Sequence, residues 1–120
     1  MIDPKLREFL QTQVNSFVKW DLVRFFHDNP HAKDTVENIA HYTGRKTRAI
    51  ADELDELVAS GVLRAKDIND YRVYMLIDDA DTRERLHHFM QACEDREFRV
   101  QAIHLVIQGM QFSPRHDYSG

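Results

Sequence analysis

The sequence predicts a mostly α-helical domain with one small β-hairpin. Apolar residues recur three or four positions apart over most of the chain, which is the spacing of an amphipathic helix. The spacing changes to strict alternation only between about residues 63 and 77. The 120 residues are 42% hydrophobic and 30% charged, which suits one globular domain. We therefore treat residues 1–120 as a single domain.

The N-terminal segment carries a helical apolar stripe that runs from Leu6 to Phe26. Asn15 and Ser16 interrupt the stripe, and both are good N-cap residues. The segment is therefore either one long helix or a short arm followed by a second helix. Pro30 is expected to end it, because the residue before a proline is pushed out of helical geometry.

Two short helices follow, joined by a tight turn. The motif Asp34-Thr35-Val36-Glu37 has the form of a capping box, in which Asp34 would cap the helix and Glu37 would reach back to it. Gly44 stands where a left-handed C-terminal residue is needed. The next helix is expected from about residue 46 to 60, with Gly61 closing it. This is the outline of a helix-turn-helix.

A β-hairpin is expected after Gly61. Leu63 and Ala65 alternate with charged residues, and residues 67–70 read as a turn. On the return strand we take the apolar positions to be Tyr71, Val73, Met75 and Ile77. Helices followed by such a hairpin are the order of a winged helix, whose core we place at residues 16–77.

The last segment predicts a long C-terminal helix over residues 81–111. It opens on Asp81-Thr82-Arg83-Glu84, a second capping-box pattern, and would be about 45 Å long if continuous. Its end is apolar on too many sides for a helix with a solvent face. The first helix could cover one stripe, and a second copy of the chain is the economical cover for the rest. We therefore predict a dimerisation helix.

Residues 39–63 resemble the helix-turn-helix core of bacterial winged-helix transcriptional regulators, of which the ArsR-like and MarR-like repressors are the closest types. The resemblance rests on Ala40, Gly44, Leu54, Leu57 and the closing Gly-Val-Leu of residues 61–63. It implies that a homodimer binds double-stranded DNA, with the second short helix in the major groove.

Seven residues are the candidate DNA contacts that follow from this resemblance. They are Arg45, Lys46, Thr47 and Arg48 at the start of the second short helix, and Arg64, Lys66 and Arg72 on the hairpin. A helix N-terminus favours phosphate contact, and an arginine fork can read a guanine edge. Arg64, Lys66 and Arg72 would touch flanking phosphates.

Acidic residues support a second interpretation, a winged-helix adaptor that binds protein and not DNA. Asp52 and Glu53 follow the basic helix start by one turn, and the hairpin tip at residues 67–70 is acidic. We interpret Asp52, Glu53, Asp55 and Glu56 as a solvated helix face. The two interpretations differ in what the helix start contacts.

Charge and composition exclude several classes of protein. With 16 basic and 20 acidic residues the net charge is −4, which excludes a polybasic coat for nucleic acid. The single cysteine, Cys93, lies on an apolar stripe, so we expect a core residue, no intrachain disulfide and a cytoplasmic location. No apolar stretch is long enough to span a bilayer.

The sequence contains no recognisable catalytic motif, so we do not expect an enzyme. The seven histidines lack the paired spacing of a zinc site, so neither a metal nor a cofactor is expected. The sequence does not say whether a small-molecule effector exists. If there is one, we expect it between the outer helices of a dimer.

Overall fold

The computed structural model describes residues 2–111, which form six helices and a three-stranded antiparallel sheet. The elements in chain order are α1 (Pro4–Thr12), α2 (Phe17–Asp28), β1 (Lys33–Asp34), α3 (Val36–Thr43), α4 (Thr47–Ala59), β2 (Leu63–Ile68), β3 (Tyr71–Leu76), α5 (Ala80–Ala92) and α6 (Arg96–Gln111). The predicted fold class, mostly α with a small β element, is confirmed at this level.

The N-terminal segment is a short helix followed by a second one. Ser16 is the N-cap of α2, and its hydroxyl accepts a hydrogen bond from the Lys19 amide at 3.1 Å. Between the two helices Val14 is buried, and its amide donates to the Phe9 carbonyl at 2.8 Å. α2 ends at Asp28, two residues before Pro30, as the sequence predicts.

The start of α3 differs from the predicted capping box. Thr35 is the N-cap, and its hydroxyl accepts from the Asn38 amide at 3.4 Å. Asp34 instead belongs to β1, where its carboxylate accepts from the Thr35 amide at 2.9 Å and from the Asn38 side chain at 2.7 Å. The Asp34–Glu37 box is therefore wrong, because a strand holds Asp34 one residue outside the helix.

The sheet has the order β1-β3-β2. The hairpin turn falls at Asn69 and Asp70, whose φ angles of +49° and +71° are the paired left-handed values of a type I′ turn. β1, which sequence reasoning missed, pairs Lys33 with Met75 and Asp34 with Tyr74. A strand of two residues is too short to show alternation.

The predicted hairpin is present, and Val73 is buried as expected, but the other apolar positions predicted for β3 are not the ones that face the core. Leu63 pairs with Leu76, and Ala65 pairs with Tyr74, so these residues lie on the face toward the core. Met75 belongs to the opposite face, and Tyr71 there is exposed. The two-residue turn sets this register, and a shift of one residue in the assumed turn exchanges the two faces.

The predicted continuous helix over residues 81–111 is also wrong, because residues 93–95 are not helical and separate α5 from α6. The Asp95 carboxylate accepts a hydrogen bond from the Phe98 amide at 3.3 Å, which caps α6. Arg99 donates to the carbonyls of Cys93 at 2.6 Å and Glu94 at 3.2 Å.

The cap of α5 also differs from the prediction. Asp79 is the N-cap, and its carboxylate accepts from the Thr82 amide at 3.0 Å. The predicted box of Asp81 and Glu84 is therefore wrong, because the N-cap lies two residues earlier, at Asp79.

The break between α5 and α6 lets both helices reach one aromatic core. The ring of Phe89 in α5 contacts Phe9 at 5.4 Å, Trp20 at 5.3 Å and Phe98 at 6.2 Å between centroids. These four rings come from α5, α1, α2 and α6. α1 packs on α6, so the first helix does cover one face of the last segment. Among residues 2–111 no helix is long and apolar enough to cross a membrane.

Candidate nucleic-acid interface

The connection between α3 and α4 is a tight turn that places the start of α4. Gly44 has φ +71°, and the Arg45 amide donates to the Ala40 carbonyl at 3.0 Å. This left-handed closure reverses the chain within residues 44–46, so that α4 begins at Thr47. Ile39 of α3 and Ile50 of α4 are both fully buried at this turn.

The first residues of α4 present positive charge to solvent. Lys46, Thr47 and Arg48 are exposed. Lys46 occupies the N-cap position but makes no side-chain cap hydrogen bond, so no side chain there screens the positive end of the helix. Within residues 2–111 the side chains of Lys46 and Arg48 have no hydrogen bond or ion pair. The arrangement suits an anion.

Arg45 differs from its neighbours because α2 already holds it. Its Nε and Nη2 both donate to Asp21 Oδ2, at 2.9 and 2.6 Å. The two side chains are about one-third exposed, 31% for Arg45 and 36% for Asp21. The pair ties the α3–α4 turn to α2, and Asp21 neutralises one of the four predicted contacts at this helix start.

The acidic run on α4 is not the solvated face that we expected. Glu53 is buried at 6% exposure, and Asp55 and Glu56 both bond to neighbouring elements. Asp52 is exposed. The interpretation is therefore wrong for Glu53, because α2 supplies a buried lysine opposite it.

That lysine is Lys19, which lies 3% exposed at the start of α2. Its Nζ donates to Glu56 Oε1 at 2.6 Å and to Asn15 Oδ1 at 2.7 Å, and lies 3.8 Å from Glu53 Oε2. The Ser16 hydroxyl donates to Glu53 Oε1 at 2.6 Å. This buried network fixes α4 against α2. Sequence reasoning missed it, because residues 37 positions apart carry no local signal of contact.

The hairpin divides its three predicted contacts between two faces of the sheet. Arg64 and Lys66 lie opposite Met75 and Val73 on the outer face, and both are exposed. Arg72 lies on the other face, where Nε donates to the Tyr74 hydroxyl at 3.0 Å and Nη2 lies 3.4 Å from Asp55 Oδ1. Arg72 therefore braces the hairpin against α4.

Tyr74 links this brace to the core. Its hydroxyl donates to Asp55 Oδ1 at 2.6 Å. Burial and the hydrogen bond to Asp55 raise the pKa of the Tyr74 phenol. The phenol therefore stays protonated and keeps the contact between β3 and α4 at neutral pH.

The hairpin tip combines acidic and apolar side chains. Ile68 and Tyr71 pair across the strands beside the turn and are 41% and 64% exposed. Asp67 and Asp70 lie next to them and are also exposed. The tip carries no basic residue, so its charge is unfavourable for phosphate.

Within residues 2–111 two histidines lie close together, and the one cysteine lies apart from them. His27 Nε2 lies 3.0 Å from His87 Nδ1, which joins α2 to α5, but no three metal-ligating residues gather anywhere in residues 2–111. Cys93 packs half-buried against the core, and desolvation raises the pKa of its thiol to about 11. That shift disfavours the thiolate, the reactive form.

Comparison with known protein families, curated proteins and solved structures finds no match. The functional argument therefore rests on the chemistry and placement of the side chains described above.

Proposed function

We propose that this chain is a homodimeric transcriptional regulator that binds double-stranded DNA in a sequence-specific way. The observation that carries the proposal is the start of α4, where Lys46, Thr47 and Arg48 are exposed beside an N-terminus that no side chain caps. Positive side chains around free helix amides favour phosphate.

The arrangement of elements supports a winged-helix assignment. α3 and α4 meet through the Gly44 turn, and the β2–β3 hairpin follows with β1 on its far edge. In a winged helix the helix after the turn enters the major groove while the hairpin lies beside it. Here that helix would be α4.

Each basic side chain has a role that fits its surroundings. Lys46 would hold phosphate, while Thr47 and Arg48 would approach the major groove, where an arginine fork can bind a guanine edge. Arg64 would contact flanking phosphate, since its side chain makes no hydrogen bond or ion pair within residues 2–111. Arg72 would steady the wing from within, and Arg45 would reach DNA only by exchanging Asp21 for it.

The outer surface of α6 supports the homodimer. Val100, Ile103 and Ile107 are 46%, 38% and 40% exposed, and their spacing of three and four residues places them on one stripe. The opposite face of α6 buries Phe98, Ala102 and Val106 in the core of its own chain. A second copy that packs its α6 against this stripe would cover it.

The alternative is a winged-helix adaptor that binds protein without DNA. The exposed Ile68 and Tyr71 at the acidic hairpin tip favour it, as does the net charge of −4. In that case the hairpin tip, and not the start of α4, would make the main contacts with the partner protein.

Selection from a random duplex library tests the proposal. The full chain is incubated with the library at about 150 mM salt, and bound duplexes are amplified and sequenced. We expect an enriched inverted repeat whose half-sites lie about 10 base pairs apart, because a twofold dimer reads two major grooves on one side of DNA. A library without an enriched sequence would contradict DNA recognition. A tip variant, Tyr71→Ala, should leave the enrichment unchanged, because the hairpin tip is not among the proposed DNA contacts.

A further inference from the structure

The outer face of the sheet bounds a cavity of about 530 Å³ that shares only Arg64 with the proposed DNA contacts. Residues of β1, β2 and β3 line it together with the loop after β3 and the start of α5. No residue of α4 takes part. Its volume lies within the range of about 300–1,000 Å³ that small-molecule sites occupy.

Two of its cations stand in one row across the sheet. Lys33 of β1 and Arg64 of β2 both pair with Met75 of the central strand. Paired residues share a face of the sheet, and two strand spacings amount to about 10 Å. The side chains of Lys33 and Arg64 are therefore on the same face with the Met75 thioether between them.

A third cation is held in place by the backbone. Arg83 of α5 donates from Nε to the Ile77 carbonyl at 2.8 Å, which fixes the guanidinium at the cavity wall and leaves its terminal N–H groups as donors. Within residues 2–111 neither Lys33 nor Arg64 has a hydrogen-bonded or ion-paired side chain. Among residues 2–111 Asp78 is the only acidic residue of the lining, so three cations and one anion leave a net charge of +2.

We propose that this cavity binds a small dianion, a phosphate monoester with a short apolar body. A monoester carries about −1.5 to −2 charges near pH 7, which matches the lining, and an arginine fork suits its oxygens. Met75, Ala32 and Pro30 supply an apolar wall for the body. A dicarboxylate shares the charge but not the tetrahedral head. The proposal does not depend on DNA binding.

Calorimetric titration of the free full-length chain with phenyl phosphate tests this site. Lys33→Gln and Arg64→Gln each remove one charge–anion contact and should weaken binding about tenfold. Lys66→Gln is the matched control, because Lys66 lies on the same strand and face as Arg64 but outside the cavity. It should change the Kd less than about twofold.

Four results would overturn the proposal. They are the absence of binding at millimolar phenyl phosphate, equal binding of neutral phenol, equal binding of succinate, and a loss with Lys66→Gln as large as with Arg64→Gln. Absence of binding would show that there is no site, and equal binding of phenol that the site does not select for charge. Equal binding of succinate would show that it does not select for phosphate. An equal loss with Lys66→Gln would show that binding does not occur in this cavity. Since DNA is absent from the titration, none of them bears on the start of α4.

Discussion

Lys19 and Glu53 are the most deeply buried charged side chains among the described residues, at 3% and 6% exposure. A buried ion pair contributes little net stability over an apolar pair, but an unpaired buried charge is costly. Each of the two depends on the other, and through them α2 sets the position of α4. The network therefore helps to position α4, whose first residues follow Lys46 and include Arg48.

Removal of the lysine charge should destabilise the fold strongly. In Lys19→Met the packing volume is nearly kept, but Glu53 and Glu56 lose the Lys19 ammonium group, so we expect a loss of about 3 kcal/mol in the free energy of unfolding. Urea unfolding measures it. Asp52→Asn is the control, because Asp52 is exposed next to Glu53, and should change stability by less than about 0.5 kcal/mol. Equal losses in both variants would contradict the network's role.

The Cys93 thiol should make stability depend on alkaline pH. Its pKa rises from 9.0 to about 11 in the folded chain. Below pH 9 the thiol is protonated in both states and its contribution is fully present. Between pH 9 and 11 the unfolded chain ionises first, so stability falls. The stability difference between wild type and Cys93→Ala should therefore shrink over this interval. A constant difference would contradict the raised pKa.

The candidate contact residues at the start of α4 were predictable because they are local. Charges at a helix start follow from spacing and from the glycine turn before it. Their partners were not predictable, since Asp21 lies 24 residues from Arg45 and Asp55 lies on a different element from Arg72. Long-range pairing decides which of the predicted arginines remain available, and no local pattern encodes it.

At the scale of elements, the α3–α4 turn is the part on which the proposed function depends most. Gly44 has φ +71°, and a Cβ added there would meet no atom within 4 Å. The requirement for glycine is therefore one of backbone conformation and not of space. Gly109 has equally open surroundings but lies within α6, where the backbone conformation suits any L-residue.

Alanine at the two glycines should act with opposite signs. Gly44→Ala should destabilise by about 1 kcal/mol, because alanine disfavours the left-handed conformation. Gly109→Ala should stabilise by about 0.5 kcal/mol through helix propensity. Urea unfolding compares them, and Gly44→Asn should cost less than Gly44→Ala since asparagine tolerates this conformation. If the Gly44→Ala variant is as stable as the wild type, the left-handed conformation at residue 44 is contradicted.

The elements themselves were largely predictable where the apolar spacing repeats over many residues or where a capping residue, proline or glycine marks an end. Ser16, Pro30, Gly44 and Gly61 mark real boundaries. β1 and the break at residues 93–95 were not predictable, because the first exists only through its pairing with β3 and the second through the packing of Phe98 on Phe89. The first capping box failed for the same reason, because Asp34 pairs with Tyr74 of β3, while at α5 the local bonds from Thr82 select Asp79 as the cap.

At the scale of the whole molecule, two surfaces have to cooperate for a dimer to bind DNA. The stripe of Val100, Ile103 and Ile107 on α6 would join the copies, and the start of α4 would bind the groove. Neither requires the other to fold, because the core around Phe89 lies within one chain. Assembly and DNA binding can therefore be altered separately.

A charge within the stripe should prevent assembly without unfolding the chain. Ile103→Glu places a carboxylate on the surface that the partner would cover, and we expect a monomer by sedimentation equilibrium where the wild type is a dimer. Its thermal unfolding at low concentration should match the wild type. Glu97→Gln, exposed on the same helix, is the control and should remain a dimer. A monomeric wild type would contradict the dimer.

The salt dependence of binding to the selected duplex tests the central claim most directly. Fluorescence anisotropy across a salt series should give a log–log slope of about −4 to −5 for the wild-type dimer, which corresponds to four to six phosphate contacts. Lys46→Gln/Arg48→Gln should flatten the slope by about 2 or more and abolish the preference for the selected sequence. Lys5→Gln/Arg7→Gln removes the same charge from the exposed face of α1 and should leave both the slope and the sequence preference unchanged. If the two double variants bind alike, the start of α4 is not the DNA-binding surface.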